Sequence, residues 1–308
     1  MRLNTNLNPW YVTGLTDSDG CFSVSISRSK TFKLGWSVFI VFTIIATNNP
    51  ANMRMLEEVN AFFGNIGTIY TSERDNSVTL YIRGLTNCLI VRAHFLSYPL
   101  LTYKLVHFIL WSNILDLMAK GEHLTLEGLL KIVAFKMHFR LGLSANLIEA
   151  FPNFIPITCP AYLPNLALLN IHWLCGFITG DGNFFINVVN SSKTLLGSTY
   201  RISINITQHA ISLIVLEQIK LFLGMGYLTN SKNIHLFTIS SISNINAFIK
   251  LVEDSNAKFG GSKELDYIDF CKSVKLISSK EHLTKSGLEQ LKQIVDEIKS
   301  RRANSKSN

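Results

Sequence analysis

Charge, cysteine and proline are all scarce in this 308-residue chain, and each shortage removes a class of reading. Charged residues make up 16% of it, while 47% is hydrophobic, so a disordered chain is excluded and two cores are affordable. The five cysteines (Cys21, Cys88, Cys159, Cys175, Cys271) are odd in number and form no CxxC pair. That argues against a zinc site and a disulfide framework, and fits a reducing compartment. Cys21 and Cys175 lie inside apolar segments and read as small core residues. Long hydrophobic runs are missing too. Mean hydropathy is +0.24, yet the longest candidate, Leu34 to Ala46, is 13 residues interrupted by Gly35, Ser37 and Thr43. A bilayer span needs about 20 apolar residues, and the Val, Ile, Phe and Thr content suits a buried strand. No membrane partner is expected, and the first nine residues read as neither a signal nor a transit peptide.

Four of the seven prolines (Pro152, Pro156, Pro160, Pro164) recur every four residues within 145–171. Proline at that spacing forbids a continuous helix and favours an extended path. The segment also carries Phe151, Phe154, Ile155, Ile157, Tyr162 and Leu163, so it reads as a linker packed along its neighbours. It divides the chain into 1–144, 145–171 and 172–308. Net charge is +8, distributed as +4, −1 and +5 over these segments. Two halves of the same sign suit two equivalent surfaces meeting one polyanion.

What is present is a duplication. Val12 to Gly20 reads Val-Thr-Gly-Leu-Thr-Asp-Ser-Asp-Gly, and Leu174 to Gly182 reads Leu-Cys-Gly-Phe-Ile-Thr-Gly-Asp-Gly, 162 residues later. Leu56-Glu57-Glu58-Val59 with Phe63-Gly64 returns at an offset of 160 as Leu216-Glu217-Gln218-Ile219 with Leu223-Gly224. Glu122-His123-Leu124-Thr125 returns at 159 as Glu281-His282-Leu283-Thr284. Constant order and spacing mean a duplicated domain, not a solenoid. Within each half the pattern is helix, two strands, helix, two strands, then helices, an α+β arrangement. In the first half the strands read as Phe22–Ser27, with serines alternating against Phe22, Val24 and Ile26, then Trp36–Ala46, Gly67–Arg74 and Ser77–Arg83. In the second they read as Asn183–Asn190, Tyr200–Gln208, Tyr227–Asn230 and Asn233–Ser240. The intervening helices are Pro50–Phe63 and Ala210–Leu223. Helices on one side of an antiparallel sheet leave the other face free for a ligand.

Each repeated nonapeptide is a short helix closed by Asp-Gly. A carboxylate at a helix C-terminus faces the negative end of the macrodipole. An isolated Asp-Gly is an ordinary turn; two at matching places suggest a shared metal site. Gly14 and Ser18, like Gly176 and Gly180, are four apart, so each helix has a stripe of small residues that permits close backbone approach. If the helices pack on each other, Asp19 and Asp181 meet, and two close carboxylates repel unless a divalent cation joins them. Oxygen ligands without His or Cys select Mg²⁺ over zinc.

Both nonapeptides resemble the signature motif of the LAGLIDADG homing endonucleases, in the single-chain class with two copies, and the likeness covers essentially the whole chain. It implies two pseudo-symmetric αββαββα repeats whose antiparallel sheets form a DNA-binding saddle. It places the metal-binding acids at Asp19 and Asp181, with the preceding carbonyls of Ser18 and Gly180 also contacting metal. The sixth motif position, often acidic in the family and not the essential acid, is Asp17 in one copy and Thr179 in the other. Lys104 and Lys263, each 19 residues before a repeat histidine, match the active-site lysines that stabilise phosphorane charge or polarise water. Gln208 matches a water-orienting position, and Asn48 is taken as its counterpart. His123 and His282 read as capping or packing residues.

The resemblance also implies Mg²⁺-dependent hydrolysis of one phosphodiester in each strand of double-stranded DNA. Mn²⁺ is expected to substitute, and Ca²⁺ to bind without supporting cleavage. Sequence is expected to be read from the polar sheet faces, since strand ribbons fit the major groove. The candidate DNA contacts are Ser23, Ser25, Ser27, Ser29, Lys30, Lys33, Arg74 and Arg83 in the first half. In the second they are Asn187, Asn190, Ser192, Lys193, Arg201, Ser203, Asn205 and Lys232. About half of these are expected to touch a base or phosphate. The chain is expected to act as a monomer encoded in a mitochondrial intron. The alternative is a maturase that binds its own intron RNA with or without cleavage; a DNA-binding module that has lost catalysis would predict decayed acids, which is not seen.

Overall fold

The computed structural model describes residues 7–304. In the first half, helix α1 (Pro9–Asp19) runs directly into β1 (Gly20–Arg28), followed by β2 (Trp36–Thr47) and α2 (Pro50–Phe62). A hairpin of β3 (Thr68–Ser72) and β4 (Ser77–Arg83) leads to α3 (Leu85–Ser97), α4 (Lys104–Ala119) and α5 (Leu126–Lys136). A short helix α6 (Ala145–Ala150) begins the connection to the second half. There, α7 (Ile171–Asp181), β5 (Gly182–Asn190), β6 (Ser198–His209) and α8 (Leu213–Leu223) repeat the order. They are followed by β7 (Tyr227–Ser231), β8 (Ile234–Ile239), α9 (Ile242–Asp254), α10 (Gly261–Ser278) and α11 (Lys285–Asn304). The two antiparallel sheets have the same strand order, β1-β2-β4-β3 and β5-β6-β8-β7. This is the α+β double repeat that the duplication predicts.

Alternation sets which way each sheet faces. Phe22, Val24 and Ile26 on β1, and Ile40, Phe42 and Ile44 on β2, are buried under the helices with Leu56, Val91, Phe95 and Trp111. Phe184, Ile186, Ile202, Ile204 and Ile206 do the same in the second half. The odd-numbered residues between them point to the opposite, open face. Cys175 is buried as expected, but Cys21 is exposed. The strand begins at Gly20 with Phe22 facing inward, so parity puts Cys21 outside with Ser23 and Ser25.

Two further differences concern ends of elements. The β3–β4 hairpin is shorter than expected, and Arg74 lies in its turn. Ser72 Oγ donates to Asp75 Oδ2 (3.0 Å) and accepts from Asp75 N, which closes the turn early. The helix after β6 opens as a 3-10 turn at Ala210–Ser212 before α8 begins. His123 and His282 lie in 3-10 turns, and it is Thr125 and Thr284 that cap α5 and α11, accepting from Gly128 N and Gly287 N at 3.1 Å. His282 packs edge-on to Tyr200, with centroids 5.1 Å apart.

Residues 151–165, which include the four spaced prolines, form neither helix nor strand. Phe151 packs on Trp36, with ring centroids 5.1 Å apart. His138 Nε2 is 2.8 Å from the Ile157 carbonyl, and Tyr162 Oη donates to Leu101 O at 2.6 Å. The segment therefore follows the first half down to the loop before α4. Among the described residues no helix is long and apolar enough to cross a membrane.

One buried group should make stability pH-dependent. His94 is enclosed by Phe62, Phe63, Phe95 and Tyr98. Thr13 Oγ1 donates to Tyr98 O (3.0 Å), so its lone pair takes the His94 Nε2 proton at 3.1 Å. Burial lowers the imidazole pKa from 6.5 to about 3. A depressed basic group leaves stability intact above the unfolded pKa and removes it as pH falls, because only the unfolded chain takes up the proton. Between pH 7 and pH 5 this should remove about 2 kcal/mol. Urea unfolding of the protein and of His94→Gln over that range checks it; parallel pH profiles for the two would refute the assignment.

Candidate active site

The two signature helices cross at their glycines. A Cβ on Gly14 would stand 2.0 Å from the Trp173 carbonyl oxygen, and one on Gly176 would stand 2.1 Å from that of Tyr11. Backbone therefore touches backbone across the pseudo-twofold axis, with Trp173 stacked on Phe177 beside the crossing (4.7 Å, 22°). Only glycine permits that distance. Further along, a Cβ on Gly180 would lie 2.3 Å from Ser18 Oγ and 2.6 Å from Asp19 Oδ2. The close crossing thus carries the C-terminal end of each helix, and its acid, to the axis.

Asp19 and Asp181 are the last residues of α1 and α7. Burial, and then the negative charge of Asp181, raise the Asp19 carboxyl to about 6, against the pull of Lys104 and Lys263. Burial raises Asp181 as well, opposed by Lys104, by a hydrogen bond from Gln208 and by Lys263. Both lysines have lowered pKa values because they are buried, and both acids act on each of them. Lys104 Nζ donates to the carbonyls of Thr16 (3.1 Å) and Ser18, at the negative end of α1. Lys263 Nζ donates to the Gly182 carbonyl, just past the end of α7. Two acids and two lysines from distant parts of the chain thus form one electrostatic cluster. Among the described residues no group of three or more His, Cys, Asp or Glu side chains is placed to hold a metal ion. The oxygen donors brought together at the axis are the Asp19 and Asp181 carboxylates, and the Ser18 carbonyl beside them accepts from Lys104 Nζ. That set of hard donors, with one acid pushed toward protonation by the other, fits a divalent cation such as Mg²⁺.

Gln208 Nε2 donates to Asp181 Oδ2 at 2.5 Å. Its partner in the first half is not Asn48. Gly20 pairs with Ile44, and Gly182 pairs with Ile206, so the strands match at an offset of 162 and Gln208 corresponds to Ala46. Asn48 corresponds to Ala210, the two backbone N–H groups making the same hairpin bond to Asn76 O and Asn233 O. The offset of 160 belongs to the helices that follow, because the second half is two residues shorter between strand and helix. Asp19 therefore has no amide donor matching the one on Asp181.

Asp17, at the sixth motif position, is the acceptor at the centre of a buried hydrogen-bond network. It is buried and accepts from Leu101 N (2.8 Å), Thr102 N (3.1 Å), Thr102 Oγ1 (2.5 Å) and Trp173 Nε1 (2.9 Å). Three of these donors lie just before Lys104 and the fourth comes from the other half. The carboxylate thus fixes both the lysine loop and the helix crossing. In the second half Thr179 Oγ1 accepts more weakly from Gly260 N (3.3 Å), and the Lys263 loop is held from across the interface, Ser262 N donating to Asn52 Oδ1 at 2.8 Å. Asn52, Thr102 and Trp173 were not singled out from the sequence, where no local pattern marks them.

The predicted DNA contacts divide by position. Ser23, Ser25 and Ser27 on β1, Asn187 on β5 and Arg201, Ser203 and Asn205 on β6 share the open faces by strand parity. Arg83, at the end of β4, donates from Nη2 to Tyr70 Oη (2.8 Å). Asn205 bridges Ser203 (2.9 Å) and Thr238 (3.1 Å). Ser29, Lys30 and Lys33, like Ser192 and Lys193, are in the hairpin loops after β1 and β5. Arg74 and Lys232 lie in the turns at the far edge of each sheet, and Asn190 ends β5 on the parity of the covered face.

The LAGLIDADG endonuclease family matches residues 12–115 and 174–274. "Probable intron-encoded endonuclease 2" of Neurospora crassa is 31% identical over 95% of this chain, and "Probable intron-encoded endonuclease 3" of the same fungus is 30% identical over 92%. The chain spans 65% and 53% of the length of these two relatives. The I-SmaMI LAGLIDADG homing endonuclease bound to cleaved DNA superimposes with a TM-score of 0.88 at 32% identity, covering 94% of this chain and 96% of that one. I-SmaMI bound to uncleaved DNA with calcium ions gives 0.87, and the I-LtrWI homing endonuclease bound to target DNA covers 93% of this chain. With two signature helices crossed at their glycines and an acid from each at the axis, the chain belongs to the LAGLIDADG endonuclease family.

Proposed function

We propose that the protein is a site-specific endonuclease that hydrolyses one phosphodiester in each strand of a long, asymmetric duplex target. The observation that carries this reading is the meeting of Asp19 and Asp181, one from each half, at the end of the glycine crossing. Asp19 and Asp181, with the Ser18 and Gly180 carbonyls, would hold a divalent cation, which when bound would supply Lewis-acid polarisation of the phosphate and a water of lowered pKa. Lys104 and Lys263 stabilise negative charge that develops on the phosphate. Gln208, whose Nε2 is committed to Asp181, offers its Oε1 to orient an attacking water on that side. One copy of the chain provides both acids, both lysines and both sheets, which supports action as a monomer with each sheet reading one half-site. Relatives described as an ND4 intron 1 protein of Podospora anserina and a Cox1 intron endonuclease of Schizosaccharomyces pombe support an origin in an organelle intron.

The test is cleavage of a plasmid carrying the uninterrupted host gene. Linear product is expected with Mg²⁺ or Mn²⁺ and none in EDTA. With Ca²⁺, which fits oxygen sites at longer bond lengths and in looser geometry, binding without cutting is expected. Undiminished cutting in EDTA would overturn the metal-dependent mechanism.

A further inference from the structure

The open face of the first sheet is not uniformly polar. Phe39 and Ile45 lie on its inner strand β2, opposite Ser25 and Thr79 in the register. They remain 55% and 47% exposed although every neighbouring helix is on the other side. At the matching positions of β6 stand Arg201 and Thr207, both exposed and both capable of hydrogen bonding. The two halves therefore present different chemistry to the same place in each half-site. A lone exposed apolar residue is unremarkable. Two on one inner strand, one toward each end of its paired region and each opposite a hydroxyl-bearing residue, are placed to meet something apolar within a polar surface. In the major groove the one apolar group on a base edge is the thymine C5 methyl.

We infer that Phe39 and Ile45 are specificity-determining residues that read thymine methyl groups in the half-site bound by the first sheet. This rests on the DNA-cleavage reading above. Phe39 and Ile45 are six residues apart, about 20 Å along the strand. At about 3.4 Å per base pair the two contacts lie at most about six base pairs apart. At the matching base pairs of the second half-site Arg201 offers hydrogen bonds, and Thr207 offers a hydroxyl with only one small methyl beside it, so methyl reading should be weaker there.

Uracil tests this directly, because it removes the methyl and leaves every hydrogen-bonding group unchanged. A preferred site is first selected by binding from a randomised duplex library, and each thymine is then replaced singly by deoxyuridine. Two clusters of positions in one half-site should weaken binding about three- to five-fold per methyl, the value of one buried carbon group. Phe39→Ser should abolish the effect at one cluster and Ile45→Ser at the other. Each variant should bind the uracil duplex about as tightly as the unaltered protein does, which shows that it is folded. Binding indifferent to uracil throughout, or a uracil effect that persists in both variants, overturns the inference and leaves the nuclease reading standing. Failure to select any duplex overturns both.

Discussion

Asp19→Asn and Asp181→Asn are each expected to lower double-strand cleavage by at least about 10³-fold, while target affinity stays within about three-fold. A loss of that size corresponds to about 4 kcal/mol of transition-state stabilisation. Neither acid offers a donor to a phosphate, and removing negative charge from a surface that meets a polyanion does not weaken association. The same substitution should stabilise the free protein. The Asp19 carboxyl is raised to about 6 by burial and by Asp181, so the ionised form costs stability at neutral pH. That penalty is fully present above the folded pKa and vanishes below the unfolded value of 3.8. In EDTA, Asp19→Asn should therefore be more stable than the unaltered protein by up to about 3 kcal/mol at pH 7, and the gain should shrink as pH falls toward 4. Activity assays, gel-shift titrations and thermal melts at two pH values check all three. A variant cutting both strands at the original rate would remove that acid from the mechanism.

Gly14→Val and Gly176→Val are expected to be the most destabilising single substitutions at the interface. The first added carbon would already be 2.0 or 2.1 Å from a carbonyl oxygen of the facing helix, with further backbone atoms inside 3.0 Å. The obstacle is backbone on both sides, so no rotamer change relieves it, and the helices must separate. Overpacking of this kind costs about 3 kcal/mol or more. Separation also pulls Trp173 Nε1 away from Asp17 and moves Asp19 away from Asp181. Cleavage should fall even where the variant remains folded, and the melting temperature should drop by about 6–12 °C. An unchanged melting temperature would mean that the crossing is not close in solution.

Much of the fold was legible because the chain states it twice. The duplicated nonapeptide, the serine alternation along β1 and the proline spacing each rest on a local rule of periodicity or backbone restriction. Asp19, Asp181, Lys104 and Lys263 were legible for the same reason, since each recurs at a nearly constant offset. What recurs at a shifting offset is not legible in this way. Asn48 stands 160 residues before Gln208, the offset of the helices, whereas the strands match at 162, which places Asn48 about 7 Å along the chain from the matching Ala46.

The sequence by itself thus determined two repeats, their order of elements, the paired acids and the polar alternation along β1. Only the tertiary structure decided which face Cys21 takes, that Gln208 has no opposite number, and that Phe39 and Ile45 look outward. It also gave Asp17 its work, with donors 84 and 156 residues away. Strand parity turns on a single residue at the strand's start, and a buried carboxylate takes whatever donors the packed fold brings to it. Neither is written in any local stretch of chain.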